Sequence, residues 1–360
     1  MLGDVVLVFD PRTMREEIAR FANRLAARGV STRSLSIGAS NGPNRPDLIE
    51  APGLARPWTR PWTARGLRKR AEFHKTSLLH VLQSEWDSVA IALAESWEVP
   101  YLLNVDEFPS PGSGVRLSRR WCRGLIAPCR DLADELRAGL PNTPVSVVPP
   151  AFLVPKPIER DPSVHRVRVV GAAGPLTSGS GLTTFLKAAA ILVEQGSDAE
   201  FVIAGDGPDE FELRRYADHL RIADRVTFTG DPDPDAPFWR VLDVFCQTAS
   251  RPTSARPLAI ALAHAIPSIT TSVAAPLAPS DCLGATCPAT DAGSFARRVR
   301  ELLDQPLRAQ VIGQAGRDWA LKAFDPDLQA DSLVALYRLA VDDREVPSPH
   351  LATLRSSVVD

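Results

Sequence analysis

The sequence predicts an α/β chain of two domains, each built on a doubly wound parallel sheet. Three observations predict it. Short apolar runs alternate with helical patterns in two successive series, glycine turns carry the chain from strand to helix, and a proline- and charge-rich stretch, Val154–His165, separates the series. The length of 360 residues suits two domains. With 44% hydrophobic residues and no apolar run near twenty, the chain can bury sizeable cores without crossing a membrane.

DVVLVF (Asp4–Phe9) opens the first series as a core strand. Met14, Ile18, Phe21, Ala22 and Leu25 follow at helical spacing within Arg12–Arg28, then Gly29 and a strand over Ser31–Gly38. Ser40–Arg70 breaks the pattern. It is rich in Pro, Gly and Arg, and sets seven basic residues (Arg45, Arg56, Arg60, Arg65, Arg68, Lys69, Arg70) against Asp47 and Glu50. Trp58 and Trp62 beside these arginines suit an anionic membrane interface or an anionic glycan. Basic-aromatic loops elsewhere bind single-stranded nucleic acid, though no nucleic-acid partner is expected here. The plainer reading is a solvated loop whose tryptophans pack onto the domain.

A strand over Ser77–Ser84, a helix over Trp86–Ser96 and a strand over Val99–Val105 come next. The last ends on Asp106-Glu107-Phe108-Pro109, where two acids at a strand's carboxyl end either form a site, with Asp106 its candidate catalytic group, or cap the following turn. A second basic cluster (Arg116, Arg119, Arg120, Arg123) precedes a strand over Arg123–Pro128, a helix over Arg130–Ala138 and the run Pro144–Phe152. The expected division is a first domain over 1–153, a linker over 154–165, a second domain over 166–345 and a frayed tail over 346–360.

The second series is the more regular. VRVVGA (Val167–Ala172) reads as a buried strand and meets the turn Gly174-Pro-Leu-Thr-Ser-Gly-Ser-Gly181. Leu182, Phe185, Leu186, Ala189 and Leu192 mark a helix that Gly196 stops. A strand lies within Ala199–Pro208, a helix over Glu210–Arg221 and a strand over Arg225–Gly230. In parallel sheets ligands sit at the carboxyl ends of the strands, where helix N-termini offer N–H groups to anions, so the Gly174–Gly181 turn is the first place to look for a phosphate.

The formal net charge of −2 hides an asymmetry: residues 1–155 carry 20 Lys and Arg against 16 Asp and Glu, so the first half is the basic one. The start lacks a signal peptide's basic region and cleavage site, which points to the cytoplasm, with peripheral contact at the inner membrane face through Ser40–Arg70. Five cysteines without a CxxC spacing argue against disulfides and structural zinc, and Cys282 and Cys287 read as reduced. The six histidines show no HxxxH or HExxH spacing, so neither a metal nor a cofactor is expected.

The stretch His165–Thr271 resembles the donor-binding domain of glycosyltransferase family 4, the group 1 glycosyltransferases of the GT-B fold. The landmarks are the glycine turn, FVIAGDGP, RVTFTG, DVFCQTASR (Asp243–Arg251) and ALAHAIPSITT (Ala261–Thr271), and the likeness continues through Asp291–Phe324. It implies two Rossmann-like domains facing a cleft, and a metal-independent, retaining transfer of a hexosyl-type sugar from a nucleotide sugar to a glycan or lipid-linked acceptor. The likeness fails at the residues that carry the chemistry. The family's turn, G-R-L-x-x-E-K-G, grips the diphosphate with its Arg and Lys, and Pro175 and Ser180 stand at those positions. Two family glutamates fall on Pro252 and Ile260. The family's inter-domain histidine falls on Asp106.

Losing two charge-assisted hydrogen bonds of about 1.5–3 kcal/mol each would lower affinity by roughly two to four decades. Arg251 and Arg256 flank the turn that lost its glutamates, and either compensate from the other side or are surface and packing arginines. Two functions follow. One is an active glycosyltransferase, its donor phosphate held by Gly174, Gly179, Ser180, Gly181 and the Thr183 hydroxyl. The other is a catalytically silent GT-B homologue serving as a binding module or as the partner subunit of another glycosyltransferase. A dehydrogenase is disfavoured, because no G-x-G-x-x-G follows a strand with an acid about twenty residues on.

Overall fold

The structure, a computed structural model, describes residues 3–38, 48–105, 114–151, 167–230, 236–250, 256–271 and 280–342, without the side chains of 11–17 and 281. Asp106, Arg251, Pro252, the Val154–His165 linker and the 346–360 tail lie outside the described residues. The chain divides into two compact units, Met1–Pro149 with Pro326–Asp360, and Pro150–Asp325.

The first unit runs β1 (Asp4–Phe9), α1 (Pro11–Ala27), β2 (Thr32–Ser36), β3 (Leu48–Glu50), α2 (Arg60–Arg68), β4 (Thr76–Val81), α3 (Asp87–Trp97), β5 (Tyr101–Asn104), β6 (Cys122–Ala127), α4 (Arg130–Gly139) and β7 (Val145–Val147). Its seven strands pair in the order β3-β2-β1-β4-β5-β6-β7, all in parallel. Val5 to Phe9 are wholly buried, as expected of a strand covered on both faces. Val5, Leu7 and Phe9 share one face with Leu78, Leu102 and Ile126.

The second unit runs β8 (Val169–Ala173), α5 (Leu182–Glu194), β9 (Glu200–Ala204), α6 (Glu210–His219), β10 (Val226–Thr229), α7 (Pro237–Val241), β11 (Val244–Gln247), α8 (Arg256–Ala263), β12 (Ser268–Thr271), β13 (Ala285–Cys287), α9 (Ala292–Asp304) and α10 (Pro306–Ala323). Its sheet order is β10-β9-β8-β11-β12-β13, again all parallel. Alternation along the strands sorts two cores. Val170, Ala172, Phe201, Ile203 and Cys246 pack under α5, α6 and α9, while Ala173, Ala204 and Phe245 face Trp239 and the apolar side of α8. The sheet is therefore doubly wound.

Two expectations are corrected. The second domain does not run to residue 345, because the last helix, α11 (Pro326–Val341), belongs to the first unit. Its Ala330, Leu333, Val334, Tyr337 and Ala340 share a core with Val5, Leu7 and Leu78, and each fully buried large side chain contributes about 1.5–3 kcal/mol. Arg28 on the neighbouring loop pairs with Asp327 at 3.1 Å and Asp331 at 2.5 Å. In the core, the His80 ring lies 2.7 Å from the Tyr337 hydroxyl and 2.8 Å from Asn104 Oδ1, and full burial pushes its pKa down to about 4.

The second correction concerns Ser40–Arg70, whose described part is not a solvated loop. Ala64 and Leu67, one turn apart, bury the inner face of α2, and the Trp97 indole donates to Ala64 O at 2.7 Å. Arg60 Nε donates to Leu54 O at 2.8 Å, tying the start of the helix to the preceding turn. The tryptophans do not pack onto the domain, since Trp58 is 75% and Trp62 64% exposed.

Candidate functional site

In the second unit the chain leaves β8 to build β9 on one side and later returns to build β11 on the other. Such a reversal opens a crevice at the strands' carboxyl ends, the usual ligand position in open α/β sheets. A small cleft, open to solvent, lies there. Its wall includes Ala173, Gly174, Pro175, Ser180, Gln247, Thr248 and Pro257.

The glycine turn forms one side of it. Gly174 N–H donates to Ala204 O at 3.0 Å, and Leu176 N–H to Asp206 O at 2.9 Å, so the turn is stitched to the loop after β9. Residues 178–180 make a single 3-10 turn, then Gly181 takes a left-handed conformation, φ 70°, and α5 begins. A Cβ at Gly181 would stand 1.8 Å from Thr248 O, so only glycine permits this approach of the turn to β11. The loop after β11 returns the contact: Ser250 N–H and hydroxyl donate to Gly179 O at 3.2 and 3.3 Å. The first N–H groups of α5 have no acceptor within their own helix and carry its positive dipole end.

Of the five expected phosphate residues, Gly174 and Ser180 line the pocket. Gly179 and Gly181 shape the turn behind them, and Thr183 is exposed on the first turn of α5. The Ser180 hydroxyl donates to Thr177 O at 2.6 Å. Pro175 and Ser180, the positions of the two expected cations, are both in the wall, so the turn brings no positive side chain to it. Arg256 begins α8 beside the pocket residue Pro257. Ile260 is 2% exposed in the core between α8 and the sheet, away from the wall.

α8 is held from behind by α10. A Cβ at Gly313 would stand 2.1 Å from Ala265 O, and the buried Arg317 guanidinium donates to Ala263 O at the helix's carboxyl end, where a cation is favourable. Within the matching stretch the sequence reading missed Gln247, the last residue of β11, which is 5% exposed and faces the pocket. The readable signal was an amide closing the apolar run DVFC, at a strand's carboxyl end. Cys246 next to it is buried, which raises its thiol pKa, and none of the five cysteines forms a disulfide. Among the described residues no group of three or more His, Cys, Asp or Glu is placed to hold a metal, and no helix is long and apolar enough to cross a membrane.

This pocket and its turn lie inside a segment that matches a known family. Residues 167–305 match the model of the group 1 glycosyl transferases. A GDP-mannose-dependent alpha-(1-6)-phosphatidylinositol monomannoside mannosyltransferase from Mycolicibacterium smegmatis is 32% identical over 164 residues, 42% of this chain and 43% of that protein. The chain spans less than half the length of the curated relatives it matches. Among solved structures, sucrose-phosphate synthase from Thermosynechococcus elongatus gives a TM-score of 0.73 at 16% identity, covering 94% of this chain and 99% of its own. Anabaena Alr3699/HepE in complex with UDP and glucose gives 0.72 at 14% identity, covering 92% and 98%. The two parallel-sheet α/β units and these neighbours establish the GT-B fold.

Proposed function

We propose that the chain binds a nucleotide sugar in the pocket between β8 and β11 and transfers the sugar to a glycan or lipid-linked acceptor. The observation that carries this reading is the position of the pocket: it lies at the sheet's switch point, against the N-terminus of α5, and inside the segment matching the group 1 glycosyl transferases. The donor diphosphate would meet the backbone of Gly174, Gly179, Ser180 and Gly181, with Thr183 adding a hydroxyl. We propose a retaining, metal-independent transfer, as the resemblance to the family implies, with the N–H groups at the start of α5 and the Thr183 hydroxyl as the site's donors. Arg256, beside Pro257, and Arg251 are the cations we propose to stand in for those the turn lacks.

One observation favours a second reading, a catalytically silent binding module or partner subunit. Pro175 and Ser180 line the wall where the family's cations would stand, and a helix N-terminus contributes only about 0.3–1 kcal/mol toward an anion, up to about 2 when partly buried. Thermal shift and calorimetry with a panel of nucleoside diphosphates and nucleotide sugars separate the readings. The active reading expects binding and turnover of at least one nucleotide sugar, the silent one binding without turnover. A panel without binding overturns the donor site in both. Pro175→Arg with Ser180→Lys should tighten nucleotide binding.

We further propose that α2 touches an anionic membrane. Trp58, Trp62, Arg65 and Lys69 are exposed and follow one another at helical spacing, and each basic residue adds about 1 kcal/mol at an anionic surface. Vesicles containing phosphatidylserine should float the protein at low salt and release it at high salt. Flotation that fails at low salt removes this contact.

A further inference from the structure

We infer that Gln247 reads a hydroxyl of the donor's sugar, an inference that rests on the nucleotide-sugar reading above. Gln247 ends β11 beside Thr270 of β12, is 5% exposed, and forms part of the pocket wall. Its Oε1 is buried and accepts no hydrogen bond. Buried polar atoms in folded chains are nearly always paired, so an unpaired one on a residue that lines a pocket is a group that a small turn of the side chain would let a ligand's donor satisfy.

The surrounding hydroxyls do not supply the missing donor. Thr270 Oγ1 donates to Thr271 O at 3.3 Å, Thr248 Oγ1 to Ser180 O at 3.3 Å, and Ser180 Oγ to Thr177 O at 2.6 Å. Each is turned to a backbone carbonyl, leaving the Gln247 amide oxygen, buried within the wall, as an acceptor without a donor. An ionised diphosphate brings only acceptors and cannot pair with it. A sugar hydroxyl brings a donor. A diphosphate on the Gly174–Gly181 turn would carry its sugar in the same pocket, because Gly174, Ser180 and Gln247 share one wall.

The test compares a nucleotide sugar with the free nucleoside diphosphate of the same base, by calorimetry on the full chain. Gln247→Leu keeps most of the side-chain volume and removes the amide. It should weaken the nucleotide sugar about tenfold and the free diphosphate by less than about twofold, since one hydrogen bond is lost with one ligand only. Gln247→Glu retains an acceptor oxygen. Its added charge should weaken both ligands while leaving the ratio of their affinities within about twofold of the wild type.

Because the readout is that ratio, a general loss of stability in a variant does not imitate the effect. An unchanged ratio in Gln247→Leu overturns the inference while leaving the donor site standing, as does an equal loss for both ligands, which would assign the amide to the phosphate or nucleoside. A wild-type protein that binds neither ligand overturns the donor reading and this inference with it.

Discussion

Both sheets reverse direction at one point, and each places a glutamine at or just beyond the end of the strand that opens the second half. In the first unit this is Gln83, two residues past β4, and in the second Gln247, the last residue of β11. Gln83 Oε1 accepts from Asp10 N–H at 2.8 Å, so its amide closes the end of β1. Gln247 Oε1 accepts nothing. The same topology thus leaves the glutamine oxygen paired in one unit and unpaired in the other. The difference lies in the turn after the first strand. Asp10 alone separates β1 from α1, whereas eight residues carrying Gly174, Gly179 and Gly181 separate β8 from α5.

The strongest way to break this comparison is to deform the open turn. Gly181→Ala puts a methyl 1.8 Å from Thr248 O at φ 70°, which combines backbone strain and overpacking at a cost of roughly 2–6 kcal/mol. The midpoint of urea unfolding of the second unit should fall and nucleotide-sugar binding should disappear. Gly174→Ala meets open space but at φ 147°, so it carries backbone strain without overpacking and should cost less, about 1–3 kcal/mol. Equal effects would mean that the turn's closeness to β11 is not what shapes the pocket.

The next test addresses the polar groups that the first unit closes on itself. His80 is buried and neutral, its pKa lowered by burial to about 4 from the ordinary 6.5 of histidine. The unfolded chain therefore binds the proton first. The stability conferred by the neutral ring is complete above pH 6.5 and declines as pH falls toward 4, by up to on the order of 3 kcal/mol. Urea unfolding of wild type and His80→Gln between pH 7 and pH 4 checks this: the wild type should lose the additional stability over that window. Parallel slopes would remove His80 as the cause.

The smallest expected effect sharpens the glutamine pair directly. Gln83→Leu orphans the buried Asp10 N–H and should destabilise the ligand-free protein by about 1–3 kcal/mol. Gln247→Leu removes an acceptor that was already unpaired, so the ligand-free protein should be as stable as the wild type or more so. Thermal unfolding of the two variants without ligand compares them. Equal destabilisation would mean that Gln247 is tied into the fold after all.

Much of the fold was legible because its signals are local. The run of Val5 to Phe9, the spacing of Leu182, Phe185, Leu186 and Ala189, and the turn from Gly174 to Gly181 each lie within a few residues, and hydrophobic period and glycine conformation act at that range. The matching landmarks placed the candidate site at the β8 turn for the same reason. Distant pairings were not legible. Tyr337 meets His80 across 257 residues and Arg28 meets Asp331 across 303, which is why the last helix was assigned to the wrong unit. No local pattern distinguishes a helix that covers its own sheet from one that covers another.

The sequence by itself determined the order of the elements, the parallel sheets, and the glycine turn from Gly174 to Gly181 with Pro175 and Ser180 in it. Tertiary structure alone decided that α11 joins the first unit, that Trp58 before α2 and Trp62 on it stay exposed, and that the Gln247 amide oxygen remains unpaired. The physical reason is that backbone conformation follows from neighbours in the chain, whereas burial and hydrogen-bond pairing follow from neighbours in space.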